Sequence, residues 1–262
     1  MMRALFTAAT GMEAQQAQID TIANNIANVG TTAFKRARTE FQDLFYETLR
    51  NPGATTTDGA ILPTGVQVGH GVQLAAINRI FADGDRLNTG NPLDIAIDGA
   101  GFFQIQRPTG ETVYTRDGTF KVDGNGNVVT SRGYQLIPNI TVPADALAIT
   151  VLPDGTVTAQ QAGSSTPTNL GQIQLVRFAN PAGLRMVGGN LYEVTQASGD
   201  PTTGIPDQNG FGALAAGFLE GSNVEVAEEL VQMILAQRAF EVNSRVIQAG
   251  DEMLRVASQL SQ

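Results

Sequence analysis

Apolar positions recur at spacings of three and four at both ends of the chain. Near the N-terminus this a/d pattern of a coiled coil runs through Leu5, Ala8, Met12, Gln15, Ile19, Ile22, Ile26 and Val29. Near the C-terminus it runs through Leu235, Ala239, Val242, Val246, Ala249, Met253, Val256 and Leu260. A second stripe lies beside the latter, at Val226, Met233, Phe240, Ile247 and Leu254. The pattern predicts one long helix at each end.

Local signals predict where these helices begin and end. Gly30 follows the first pattern, where a C-terminal cap would stop a helix. Ser222 and Glu225 have the spacing of a capping box, which predicts the start of the second helix. With a folded middle between them, we expect the two helices to pair as an antiparallel coiled coil.

The middle of the chain is rich in helix breakers. All 11 prolines lie between Pro52 and Pro206, and only three of the 29 glycines fall in residues 1–50 or 224–262. The segments PLDIAIDGAGFFQIQ and YTRDGTFKVDGNGNVVT alternate apolar and polar residues around Asp-Gly and Gly-Asn turns. This pattern predicts a central antiparallel β-rich domain, and the fold class is therefore α+β.

The chain is predicted to divide into three parts. Residues 1–33 and 224–262 form a terminal helical domain, residues 34–73 an extended connector without periodicity, and residues 74–223 the β-rich domain. Pro52 and Pro63 limit the conformations of the connector.

The N-terminal helix carries little charge for a helix in water. Residues 1–33 hold only Arg3, Glu13 and Asp20. Burying about eight aliphatic side chains contributes on the order of 10–20 kcal/mol, whereas ordering a residue costs roughly 1–2 kcal/mol, so one seam cannot carry a helix of this length. We therefore expect neighbouring copies of the chain to cover further faces, with amides bonding between copies. The predicted self-assembly residues are Leu5, Met12, Ile19, Ile22, Asn24, Asn25, Ile26, Asn28, Leu235, Val242, Val246, Met253, Val256 and Leu260.

Composition excludes several classes of protein. The net charge of -9 is spread along the chain and argues against a nucleic-acid partner. With no cysteine, the chain offers no thiol catalysis and no zinc–thiolate site. The stretch MMRALFTAATGMEAQQ lacks the apolar run of a secretory signal peptide, and no run is long enough to span a membrane.

Motifs that would carry chemistry are weak. DGNGNV at 123–128 begins like a calcium loop, but Val128 stands where the loop needs glycine, so a β-turn is favoured. His70 is the only histidine, which leaves a Ser-His-Asp triad without support. Asp94 and Asp98 lie about 13 Å apart along a strand, whereas glycosidase pairs need about 5–9.5 Å. We expect no catalytic residue, no cofactor and no metal.

Three blocks of the sequence resemble bacterial flagellar axial proteins. The first, ALFTAATGMEAQQAQIDTIANNIANVGTTAFKR, is similar to their N-terminal signature. LDIAIDGAGFFQIQ with YTRDGTFKVDGNGNVVTSRGYQL is similar to the middle block of rod and hook proteins, and VEVAEELVQMILAQRAFEVNSRVIQAGDEML to their C-terminal helix. Ala33 stands where many relatives have glycine. The connector pieces NPGA and LPTGVQVGHGV are most similar to members that build the distal rod.

The resemblance implies a structural role. Such a chain would self-assemble into a rigid hollow helical drive shaft, with the terminal helices in the inner tube and the β-rich domain outside, and would transmit motor torque to the hook. Its implied partners are further copies of itself, the proximal rod, the hook or hook-junction proteins, the peptidoglycan and outer-membrane ring bushing, and the flagellar export apparatus. Its implied place is the distal rod of the basal body, from the periplasmic space to the outer membrane.

Three alternatives remain at this point. One is a proximal rod subunit of the same family. A second is a peptidoglycan hydrolase that clears the path of the rod, and a third is a soluble β-domain adhesin with helical tails.

Overall fold

The chain divides into two compact units. The computed structural model describes residues 2–53, 63–162 and 166–260, except the side chains of Ala257 and Leu260. Unit 1 comprises Met1–Ala27, Ala37–Arg79 and Glu225–Gln262, and unit 2 comprises Asn28–Arg36 and Ile80–Val224. The predicted α+β class is confirmed, since a helix near each end flanks a β-rich middle.

Unit 1 contains both long helices, α1 (Met2–Ala27) and α2 (Val226–Leu260). Contacts between them pair low numbers in α1 with high numbers in α2. Gly250 lies against Leu5, and a Cβ at Gly11 would lie 2.8 Å from Asn243 Nδ2. At the other end of α1, Asn25 Nδ2 donates a hydrogen bond of 3.2 Å to Glu229 Oε2. Neither helix has an apolar stretch long enough to cross a bilayer, within the residues described.

The predicted start of α2 is wrong. The helix begins at Val226, and the Ser222 hydroxyl accepts a hydrogen bond of 3.3 Å from the Val224 N–H. The first helical bond runs from Glu229 N to Glu225 O. Ser222 therefore makes a local bond four residues before the helix begins. At the other boundary, α1 ends at Ala27, three residues before Gly30.

Most of the described part of the predicted connector belongs to a hydrogen-bonded ribbon, which continues past residue 73 to Arg79. Its strands are β1 (Ala37–Asp43), β2 (Tyr46–Arg50), β3 (Val66–Gly69) and β4 (Val72–Arg79). β1 pairs with β4 and β2 pairs with β3, both antiparallel. Bonds from Leu44 N to Gly71 O and from His70 N to Phe45 O join the two ladders. Residues 37–50 and 66–79 thus form one ribbon, about 46 Å long at 3.3 Å per residue.

The ribbon runs beside α1. Asn25 contacts Ala37 at the base of the ribbon, and Val72 N donates to Thr10 Oγ1 at 3.5 Å further along. Arg3 forms an ion pair with Glu47 near the start of α1. Gly71 has φ +113° and lies against Thr10, so both its backbone and its close approach to α1 require glycine.

The described part of unit 2 is an antiparallel β structure with a short 3-10 helix at Pro181–Gly183. Its strands are β5 (Arg86–Asn88), β6 (Ile95–Asp98), β7 (Phe102–Gln106), β8 (Thr112–Thr115), β9 (Phe120–Val122), β10 (Val128–Thr130), β11 (Gln135–Ile137), β12 (Ala146–Val151), β13 (Thr156–Gln161), β14 (Thr168–Gln172), β15 (Leu175–Arg177), β16 (Arg185–Gly188), β17 (Leu191–Glu193), β18 (Thr202–Gly204), β19 (Ala213–Ala216) and β20 (Phe218–Glu220). The largest sheet runs β16-β17-β8-β7-β11-β10-β9, with β15 beside β7 and β18 beside β15. β12-β13-β14, β6-β19 and β5-β20 form smaller sheets.

Strand β7 lies at the centre of unit 2 and is buried on both faces. Phe103 and Ile105 belong to the main core, while Phe102 packs in a second, aromatic cluster with Tyr114 and Tyr192. Side chains of a strand alternate between faces, so one central strand can serve two cores. This double burial holds the centre of the sheet together.

Candidate self-assembly surface

The apolar stripe predicted along α2 lies on its exposed side. Leu235 is 57% exposed, Val242 58%, Val246 44%, Met253 54% and Val256 48%. The stripe continues towards the start of the helix through Leu230, Val231 and Ile234, each at least 46% exposed. Large apolar side chains seldom line one face of a monomer in this way, and such a patch marks an interaction site. Leu260 ends α2, and its side chain is outside the described part of the chain.

A different stripe of α2 faces α1. It consists of Glu229, Ala236, Asn243 and Gly250, which are spaced by seven residues. Ala236 is only 2% exposed, and three of the four contact α1 directly. Small and polar residues on this stripe allow close approach of the two helices. The larger apolar residues lie on the other stripe and are exposed.

Some of the residues predicted on α1 are buried within the chain and others are exposed. Leu5, Met12, Ile19 and Ile26 are partly buried, and Asn24 is exposed. Ile22 is 5% exposed and is already covered within the chain, which corrects its assignment to a surface between copies. Met2 and Phe6 are exposed apolar residues of α1 that the prediction missed, because they lie beside the a/d pattern.

The structure also corrects the predicted role of Asn25. We expected its amide to bond to a neighbouring copy, but it is 1% exposed and is engaged within the chain. Asn25 Nδ2 donates to Ala37 O at 2.8 Å, and Asn25 Oδ1 accepts from Ala37 N at 2.9 Å. The side chain thus bonds both backbone groups of Ala37, as a neighbouring strand would, and its second N–H reaches Glu229. Asn25 joins α1, β1 and α2.

Other amides of the N-terminal motif also have local partners. Gln16 Nε2 donates to Asp20 Oδ1 at 3.0 Å, one turn further along α1. The partly buried Asn28 accepts a hydrogen bond from the Thr31 hydroxyl in the turn that follows the helix. Polar side chains in this motif therefore stabilise the helix and its end as well as presenting a surface.

The ribbon exposes apolar residues on both faces. Phe45 is 91% exposed, Tyr46 54%, Leu49 56% and Ile77 52%. A two-stranded ribbon is only marginally stable in water, and unpaired strand edges invite pairing or cover by another chain. The ribbon is the main candidate surface that the sequence patterns did not reveal.

Pro52 follows Arg50 at the end of β2, and Pro63 precedes Val66 at the start of β3. A Cβ at Gly65 would lie 2.7 Å from Pro52 Cδ and 2.6 Å from Arg50 O. The two sides of the ribbon therefore approach closely next to Pro52, where the proline ring restricts the backbone.

The residues considered for chemistry have structural partners. Asp94 accepts a hydrogen bond from Asn91, and Asp98 forms an ion pair of 2.8 Å with Arg86. Asp123 accepts the backbone N–H groups of Asn127 and Asn125, each at 2.8 Å, and these bonds hold the pKa of Asp123 below its ordinary value. Asp123 therefore closes the turn between β9 and β10, as the favoured β-turn interpretation expected.

Three family sequence models match the chain, and all describe flagellar axial structures. They are "Flagella basal body rod protein" over residues 5–35, "Flagellar hook protein FlgE/F/G D1 domain" over residues 96–159, and "Flagellar basal body rod FlgEFG protein C-terminal" over residues 215–260. The class of protein is thus a rod or hook component of the flagellum.

Curated relatives narrow this class. The flagellar basal-body rod protein FlgG of Borreliella burgdorferi is 50% identical over 262 residues, covering 99% of both chains. FlgG of Agrobacterium fabrum is 48% identical over 98% of both chains, and FlgG of Bacillus subtilis is 39% identical over 97% of both. The chain belongs to the FlgG family of flagellar basal-body rod proteins.

Proposed function

We propose that the chain is a structural subunit of the flagellar distal rod, which self-assembles into a rigid hollow drive shaft. The main observation that supports self-assembly is the exposed apolar stripe on α2, which α1 leaves uncovered. Full-length similarity to basal-body rod proteins supports a structural and non-enzymatic role in the basal body. Similarity of the connector to distal members supports the distal position over a proximal one.

The two long helices pair as an antiparallel coiled coil. Support comes from the contacts of Leu5 with Gly250 and Gly11 with Asn243, and from the bond of Asn25 to Glu229. In each case the two residue numbers add up to nearly the same value, as expected for two helices that run in opposite directions in one register. The heptad spacing of the contacting α2 positions supports the same arrangement.

Neighbouring copies cover the remaining faces of the helices. The proposed contacts are Leu235, Val242, Val246, Met253, Val256 and Leu260 of α2, with Leu5, Met12, Ile19, Asn24, Ile26 and Asn28 of the N-terminal segment. A repeated contact between two different surfaces generates an open helical polymer when its rotation does not close into a ring. Fully burying one such aliphatic side chain contributes about 1.5–3 kcal/mol, so several together can sustain a stiff polymer.

The ribbon adds a further contact between subunits. Its exposed apolar residues supply surface that a neighbouring copy can cover. Pro52 and Pro63 restrict the backbone after β2 and before β3. As the resemblance implies, the partners would be further copies, the proximal rod, the hook or hook-junction proteins and the ring bushing, with delivery by the flagellar export apparatus.

Electron microscopy of the purified, concentrated chain tests this function. We expect straight tubes of uniform diameter without any added cofactor. Val246→Asp should abolish them, because a buried unpaired charge costs several kcal/mol. Gln248→Asp is the matched control, because two residues along a helix turn the side chain by about 200°. Wild-type chain that stays monomeric at every concentration, or tubes from the Val246→Asp chain, would contradict the proposal.

The peptidoglycan hydrolase is not favoured. Asp94 and Asp98, the acidic pair considered for it, each hold a separate structural partner. Zymography on cell-wall material checks this directly, and a clearing band that Asp98→Asn abolishes would restore the enzyme interpretation.

A further inference from the structure

A buried cluster of charges lies in unit 2, and the function proposed above does not use it. Lys35 is completely buried, and Arg116 and Glu220 are each 3% exposed. Lys35 Nζ lies 2.5 Å from Glu220 Oε1, and Arg116 Nε donates to Glu220 Oε2 at 2.8 Å. Arg116 also reaches the partly exposed Asp83, at 2.9 Å. Charges so far from water are retained only where geometry and partners are well satisfied.

Each member of this cluster also bonds to backbone. Lys35 Nζ donates to Ala82 O at 2.6 Å, and Gly84 N donates to Glu220 Oε1 at 3.2 Å. The Arg116 guanidinium donates to Gly99 O and Gly101 O, at 3.0 and 3.3 Å. Side chains from three distant parts of the sequence therefore bond the main chain of residues 82–84 and 99–101.

Asn223 continues the same set of bonds. Its Nδ2 donates to Ile80 O at 2.9 Å and to Ala82 O at 3.1 Å, and its Oδ1 accepts from Arg36 N at 2.7 Å. Backbone bonds run alongside, from Ala33 N to Glu220 O and from Ile80 N to Arg36 O. Asn223 thus links residues 33–36 and 80–84 to the end of unit 2.

Each of these segments lies next to a place where the chain passes between the two units. Residues 33–36 precede the point where the chain passes from unit 2 into β1, and residues 80–84 follow its return from β4. Residues 220–224 lead into α2. Three of the four places where the chain passes between the units are therefore bonded together inside unit 2.

We propose that Lys35, Arg116, Glu220 and Asn223 form a clasp that positions these three segments as one fixed group. A buried ion pair contributes little net stability compared with a well-packed apolar pair, and its better-attested use is to specify one geometry. Burial opposes the ionisation of Glu220, but Arg116 and Lys35 together hold its pKa below the ordinary value, so the carboxylate stays charged.

Hydrogen exchange on the full chain tests the clasp. Lys35→Met leaves Glu220 bonded to Arg116 and to Gly84 N, and Ala82 O bonded to Asn223, so each of these buried groups keeps a partner. We expect the Ala33 and Ile80 amides, neither of which bonds Lys35, to exchange at least about tenfold faster. Amides of β7 and β8 should stay within about twofold of the wild-type rate. Lys121→Met is the matched control, since Lys121 is the other lysine of the chain and is exposed.

Unchanged exchange at Ala33 and Ile80 would overturn the clasp. Uniform acceleration across unit 2, or an equal effect of Lys121→Met, would overturn it as well, because either result describes a general loss of stability. If Lys35→Met does not fold, Asn223→Ala serves the same purpose. Asn223 is half-buried, so water can replace its bonds, and the same two amides should exchange faster.

The clasp has a mechanical consequence, which rests on the proposed function. At three of the four places where the chain passes between the units, load passed along the chain crosses one of these segments, so a subunit that carries torque gains from holding them together. The exchange result is independent of assembly. Wild-type chain that shows the expected exchange but forms no tubes would refute the drive shaft and leave the clasp standing.

Discussion

Asn25 holds β1 beside α1 with a single side chain. Its amide bonds both backbone groups of Ala37, twelve residues away, and its second N–H donates to Glu229 of α2. Because Asn25 is 1% exposed, its polar groups depend on these partners within the chain.

Ala33 occupies a backbone conformation that favours glycine. Its φ is +54°, it is 2% exposed, and its N–H donates to Glu220 O at 2.8 Å. The left-handed region costs a residue with a Cβ roughly 1–2 kcal/mol, a cost that glycine would avoid.

Ala33→Gly should therefore be nearly neutral. Relief of the left-handed conformation offsets the lost methyl group, about 0.8 kcal/mol, and the added backbone entropy, roughly 0.5–1 kcal/mol. We expect the free energy of unfolding to stay within about 1 kcal/mol of wild type. Ala96→Gly, at a buried strand position with no such relief, should cost about 1–2 kcal/mol. Urea unfolding measures both variants, and equal losses would contradict the assignment.

Glu220 makes the stability of unit 2 dependent on pH. Its folded-state pKa is held below the ordinary 4.5 by Arg116 and Lys35, in spite of burial. The unfolded chain therefore takes up the proton first as pH falls. The stabilisation is complete above the unfolded pKa and is lost as pH falls from about 4.5 through the folded pKa, with about 1.4 kcal/mol for each unit of difference.

Glu220→Gln should remove this part of the acid sensitivity. We expect the wild-type chain to lose more free energy of unfolding than the variant between about pH 6 and pH 3, because the amide does not titrate. Urea unfolding at a series of pH values gives both slopes. Parallel pH profiles for the two chains would show that Glu220 is not held in its charged form.

At the scale of elements, the two helices were predictable and the ribbon was not. The a/d spacing of α1 and α2 extends over several turns, and local contacts dominate within a helix. Strands β1 and β2 pair with β4 and β3 across a gap of up to 42 residues, from Ala37 to Arg79. Neither face of the ribbon is buried as a whole, so its strands show no clean alternation of apolar and polar residues. In unit 2, where β7 and β8 face a core, turn signals and alternation predicted the strands well.

The ribbon should contribute to assembly through Phe45. Phe45→Ser removes an apolar side chain whose burial is worth about 1.5–3 kcal/mol, so the critical concentration for polymer formation should rise roughly tenfold or more. Gln42→Ser, also exposed on the ribbon, is the control and should leave it unchanged. Sedimentation of polymer across a concentration series measures both, and an equal critical concentration for Phe45→Ser would exclude the ribbon from the interface.

At the scale of the whole molecule, the sequence predicted a polymer because the helices have more apolar surface than one chain can cover. The structure sharpens this argument, since the stripe at Leu235, Val242 and Val246 is left exposed while Ala236 and Gly250 face α1.

The clasp in unit 2 could not be predicted from the sequence. Lys35 is one of only two lysines, but its partner Glu220 is 185 residues away, and Arg116, which bonds the same carboxylate, is 81 residues away. Only the folded chain brings the three together.

Thiol labelling at Val246 tests the central claim most directly. The chain has no cysteine, so Val246→Cys provides a single reactive group, and Asn125→Cys in the exposed β9–β10 turn controls for the reagent. In dilute chain both thiols should react freely. In assembled tubes the thiol at position 246 should react at least about tenfold more slowly, because a neighbouring copy covers it. A thiol at 246 that reacts equally fast in monomer and tubes would show that the stripe on α2 is not the surface through which this protein assembles.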